Sequence, residues 1–237
     1  MVKSMSNQTV LPQLQRYAAV LGVVLLASGC GSLLPKGPDP PSVYSLDGLP
    51  DRHPVTRPRT TSDTDPSLVV NPTRAAPGFD SPHMVYVRTA HQLEHFAHSE
   101  WIAPPARMLE PRIVAALETA GGFRSVAPST SGIAGDMRLD TEVLRLQQEF
   151  GAGPSRVRFT LRASLLDTTT RKIMSWREFD ETAATDSETP YGGVVAANRV
   201  VQVVMDQLSR YCAQASARWQ AQTAVVPKPK EQTRPVQ

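Results

Sequence analysis

The chain has 237 residues, with 25 Lys and Arg against 22 Asp and Glu, 21 prolines and two cysteines. The net charge of +3 is partly held by Lys3 and Arg16 near the start, and no long basic run remains that could displace counterions from phosphates, so nucleic acid is excluded as a partner. The two cysteines, Cys30 and Cys212, offer at most one disulfide, so the fold must rest on a packed core.

Residues 1–16 are basic and free of acidic side chains, and an apolar run, Tyr17–Ala27, follows and ends in Ser28-Gly29-Cys30. A basic segment, a short apolar run and small residues at a cut site are the parts of a secretory signal. The alternative, an anchor that stays on, is disfavoured because a spanning helix needs about 20 apolar residues. Leu26-Ala27-Ser28-Gly29-Cys30 resembles the lipobox of bacterial lipoproteins. The resemblance implies cleavage after residue 29, a diacylglycerol thioether on Cys30 and a further fatty acyl chain, such as palmitate, on its amine. Two or more buried chains hold a protein stably to a bilayer where one does not. Gly31, in place of Asp, implies by the same analogy export to the outer membrane.

Segment 31–82 holds eleven of the 21 prolines. Proline lacks the backbone donor and breaks regular helices, so 30–66 reads as a lipidated N-terminus and linker. Within it, 42–46 could add a strand to the folded body, which is expected over 67–217. Ser67–Val70 and Met84–Arg88 read as strands. Pro104 and Pro105 stand where a helix can begin, and Met108, Leu109, Ile113, Ala116, Leu117 and Ala120 recur at helical spacing. Pro111 inside this run predicts a kink or a start near Leu109–Glu110, and Gly121-Gly122 ends the helix. A short strand follows over Phe123–Ala127.

Three long strands are then predicted over Met137–Phe150, Arg156–Asp167 and Lys172–Thr185. In the second, Val157, Phe159, Leu161, Ala163 and Leu165 alternate with Arg158, Thr160, Arg162 and Ser164, as a sheet with one buried face requires. Gly151–Pro154 and Asp167–Thr170 supply turn chemistry between them. A final helix is expected from Pro190 to Ala217, with Gly192-Gly193 as helix punctuation, and 218–237 reads as a disordered tail. The order of elements predicts an α+β fold, a two-layer domain with a mainly antiparallel sheet and two helices on one face.

Chemistry is sparse. His91, His95 and His98 would share one face of a helix, but in a strand only His91 and His95 would, and no HExxH accompanies them, so neither a metal site nor a cofactor is expected. There is no GxSxG, P-loop or GxGxxG. Trp101 and Trp176 read as core or sheet-face packing, and Cys212 as a buried small hydrophobe on a helix. Arg156, Arg158 and Arg162 form a basic stripe on the solvent side of one strand, a candidate contact for phospholipid headgroups or an acidic partner.

Read in order, Tyr44-Ser-Leu46, Ser67–Val70, Ala75–Gly78, Met84–Arg88, His91–Glu94, Glu100-Trp101, Pro105–Leu109, Gly121–Val126, the strand triplet ending in Trp176–Phe179 and the Ala-rich last helix resemble the ABC-type transport auxiliary lipoproteins. The resemblance covers most of 42–217 and is similar also to the lipoprotein of the paraquat-inducible operon. It implies a non-catalytic accessory of a mammalian-cell-entry type lipid transporter, on the periplasmic face of the outer membrane. Its implied partners are the periplasmic mammalian-cell-entry domain protein and the ABC permease and ATPase. The competing readings are a general envelope scaffold or assembly lipoprotein, and an envelope enzyme.

Overall fold

The computed structural model of the chain describes residues 40–46 and 62–224. These form one body, a nine-stranded mixed sheet with two helices. Its centre is three long strands, β7 (Met137–Glu149), β8 (Arg156–Asp167) and β9 (Ile173–Ala184), joined as antiparallel hairpins at the two expected turns. Bulges between Val143 and Arg145 and between Leu165 and Leu166 shift the register.

The other edge of β7 is covered by three short strands laid end to end and all parallel to it: β2 (Ser67–Val70), β3 (Arg74–Ala75) and β4 (His83–Val87). Outside β2 runs β6 (Ser125–Pro128), and outside β4 runs β5 (Glu94–Trp101), with β1 (Ser42–Tyr44) parallel to it at the margin. β2 is flanked by parallel strands on both sides, and all four of its residues are buried, as its unbroken apolar character demands. A clamp fixes its start: the backbone N–H and hydroxyl of Ser67 donate to the Asp136 carboxylate at 2.9 and 2.8 Å.

Helix α1 (Pro105–Ala120) begins at Pro105, with Pro104 as its cap, and runs on through Pro111. The helix therefore does not wait to start near Leu109–Glu110. Pro111 and Arg107 share an exposed side, so the carbonyl that loses its partner lies toward water. Pro105, Ala106, Leu109, Ile113 and Leu117 are buried, and Gly121 and Gly122 end the helix with φ of 72° and 89°, a region that favours glycine.

Helix α2 (Pro190–Ala224) is 35 residues long, about 50 Å at 1.5 Å per residue. It packs across β8 and β9 and against α1. Val194, Ala197, Val200, Val201, Val204, Leu208, Tyr211, Cys212 and Ala215 bury one stripe. Two expectations need correction here. Gly192 and Gly193 lie within the first turn, not at a break. Thr189 caps that turn by accepting the Gly192 N–H at 3.1 Å, and side chains at the two glycines would overlap Ser187 and Gln148 respectively. The helix also continues past Ala217, through residues assigned to the tail, because Trp219 packs against the core and donates its indole N–H to Asp167 at 3.0 Å. The signal segment, Cys30, most of the linker and 225–237 lie outside the described residues.

Candidate functional site

Alternation along β8 sends Val157, Phe159, Leu161, Ala163 and Leu165 under the helices and its arginines to the opposite face. There the stripe Arg156, Arg158 and Arg162 is not an array of free cations. Arg156 Nε donates to Glu149 at 3.0 Å. Arg158 forms a two-pronged pair with Asp180, whose carboxylate also accepts the Thr160 hydroxyl at 2.8 Å. Arg162 stands directly opposite Glu142 on β7 and Glu178 on β9, with N–O separations of 3.6 and 3.2 Å. The Arg158 guanidinium, against the cost of desolvation and with help from Thr160, holds the Asp180 carboxyl down to about 2. The outer face is therefore a cross-strand ladder of opposite charges, fixed in position by rigid strands.

The arginines were legible from period two, but their four carboxylate partners were not. Those partners come from β7 and β9, and only the register, bulges included, brings them opposite β8. Trp176 stands on the same outer face, 64% exposed, opposite Ser164, while Trp101 is 5% exposed in the core.

The histidines do not converge. His91 occupies a turn with φ of 67°, and His95 and His98 are both exposed on β5, on either side of a shift in its register with β4. His95 instead lies 5.0 Å, ring to ring, from His83 of β4. Among the described residues there is no group of three His, Cys, Asp or Glu side chains able to hold a metal, and no helix is long and apolar enough to cross a membrane. Cys212 is buried on α2, and burial pushes its thiol pKa up, which keeps it protonated and unreactive. Beneath the N-terminal end of α2, a gap lined by Phe96, Trp101, Gln148 and Gly193 measures about 10 Å³, no more than the space of one water. That gap is too small for a ligand larger than water.

These features define an α+β domain whose outer sheet face carries a ladder of paired charges. A family model described as ABC-type transport auxiliary lipoprotein component matches residues 44–209, and the chain belongs to that family. It is accordingly an auxiliary lipoprotein of an ABC-type transport system. No functionally curated protein matches the chain. Among solved structures, it is similar to the protein XCC0632 of Xanthomonas campestris at 21% identity and a TM-score of 0.63, covering 76% of this chain and 99% of that one. A second, uncharacterised protein matches at 13% identity and a TM-score of 0.57, covering 73% of this chain and 99% of that one. Both likenesses speak for the fold.

Proposed function

We propose that the chain is a non-catalytic auxiliary component of a mammalian-cell-entry type lipid transport system. In this reading, lipid on Cys30 holds it to the periplasmic face of the outer membrane, and the domain docks the periplasmic transporter protein. The family match over 44–209 carries this reading, since it spans nearly all of the folded body. The lipobox at 26–30 supports the anchor, and the Pro-rich stretch that follows supplies reach between membrane and domain. The paired ladder of Arg156, Arg158 and Arg162 supports a protein partner over a polyanion, because its charges are already balanced and would be read by shape and register.

Affinity purification from membranes of the wild-type chain and of Cys30→Ala, with copurifying proteins identified by mass spectrometry, tests both halves. The expected result is recovery of a mammalian-cell-entry domain protein or its permease with the wild type, and loss of membrane retention in the variant. Recovery of other envelope proteins without any transporter component would replace this reading with a general scaffold.

A further inference from the structure

At the end of the sheet where β7 begins and the β8–β9 hairpin turns, an open cleft of about 290 Å³ is lined by Arg138, Leu166, Asp167, Thr168 and Arg171. Register gathers these residues: Arg138 lies directly opposite Leu166, and the turn brings Thr168 and Arg171 back beside them. Thr168 is pinned by donating its N–H and its hydroxyl to the Asp136 carbonyl at 3.1 and 2.8 Å, so this wall is rigid.

Arg138 is satisfied on one side only. Its Nη2 donates to Asp140 at 3.1 Å, whereas its Nε is buried with no acceptor among the described residues. The Arg138 side chain is nonetheless 42% exposed and lines the cleft, so its guanidinium has donors to offer an incoming anion. Arg171, exposed in the turn with φ of 57°, makes no ion pair or side-chain hydrogen bond among the described residues. The third charge is Asp167. Burial opposes its ionisation, but hydrogen bonds from the Trp219 indole at 3.0 Å and the Thr170 N–H at 2.7 Å outweigh it and hold the carboxyl below its ordinary value, so it is an anion at neutral pH.

A bare cation entering this cleft meets two guanidinium groups, and a bare anion meets the Asp167 carboxylate. A ligand carrying both charges suits all three. Its uncharged portion also has a surface to lie on, because Leu166 lines the cleft and Ile173, its neighbour on β9, is 62% exposed. The geometry points to a binding site for a zwitterionic phosphoester, with phosphate held by Arg138 and Arg171 and an ammonium group facing Asp167. A phospholipid headgroup and a soluble phosphoester share that chemistry. The site stands independently of which transporter the domain docks.

Isothermal titration of the full chain in a non-ionic detergent, with phosphoethanolamine, glycerol 1-phosphate and a short-chain phosphatidylethanolamine, tests it. Phosphoethanolamine should bind more tightly than glycerol phosphate. Arg171→Asn, which keeps a residue tolerant of left-handed backbone, should weaken both by roughly tenfold or more with an unchanged melting temperature. Asp167→Asn should weaken phosphoethanolamine and strengthen glycerol phosphate, while Arg107→Gln, on the exposed side of α1, changes neither. Binding of the lipid more than tenfold tighter than that of phosphoethanolamine assigns the site to a headgroup, and equal binding assigns it to a soluble phosphoester. Absence of binding, indifference to Arg171→Asn, or a shift of both ligands in one direction with Asp167→Asn would overturn the proposal.

Discussion

On the helix side of β8, Phe159, Leu161, Ala163 and Leu165 have no exposed surface at all, whereas Arg156, Arg158 and Arg162, interleaved with that series, stand in solvent bound to carboxylates. One strand thus obeys two physical regimes. Under the helices, each buried apolar side chain contributes about 1.5–3 kcal/mol by leaving water, and close packing penalises any change of shape. On the outer face, solvent screens the charges, and an exposed pair contributes about 0–1 kcal/mol. The fold therefore depends on one face far more than on the other.

The contrast is broken most severely by Phe159→Ala. Phe159 is the largest of the side chains with no exposed surface, it sits in the middle of the central hairpins, and its loss leaves a cavity between β8 and α2. The expected cost is about 3–5 kcal/mol, read as a lower urea midpoint with an unchanged slope. A substitution of the same region costing less than 1 kcal/mol would mean that the helix layer is not what holds the sheet.

Next in size is Gly192→Ala. A methyl group there would overlap the backbone oxygen of Ser187 in the turn that leads into α2. The clash is with backbone, which cannot swing aside as a side chain can, so the expected destabilisation is roughly 1–3 kcal/mol, measured in the same urea series. If the two glycines served only to punctuate the helix, alanine would instead be neutral or stabilising by its better helix propensity. The sign of the effect separates the two accounts.

How far this architecture could be read from sequence follows the same division. β8 was legible because one face is apolar and the other polar over twelve residues, and β7 and β9 followed from the turn residues on either side of it. The two helices were legible from apolar spacing. β5 was not: Glu94-His-Phe-Ala-His-Ser-Glu-Trp101 is only partly covered, and its histidines fall at a spacing that suits a helix equally well. β3 is two residues long and exists because β7 offers it an edge. The last turns of α2 are polar and are held by Trp219, a contact with residues distant in sequence. The arginine stripe was visible in the alternation, but its partners and the Arg138–Arg171 cleft were not, since cross-strand register and hairpin geometry create them.

The smallest effect is expected on the outer face itself, with Arg158→Gln. Asp180 has a folded pKa of about 2, below its unfolded value near 3.9. A depressed carboxylate contributes stability that is present above the unfolded value and lost as pH falls from there through about 2. Both side chains are about a third exposed, at 34% and 36%, so screening limits the contribution to under about 1 kcal/mol at neutral pH. Removing the guanidinium should raise the Asp180 pKa toward its ordinary value and flatten the loss of stability between about pH 4 and pH 2. The melting temperature at pH 7 should fall by no more than a few degrees. Titration of the Asp180 carboxyl carbon by NMR reads the pKa directly. If that pKa stayed near 2 in the variant, Thr160 and the backbone field would be holding the charge, and the ladder would be a consequence of the strand geometry with little electrostatic coupling of its own. A clear rise would show instead that each rung is set by its arginine, so that charge and position on this face are fixed together.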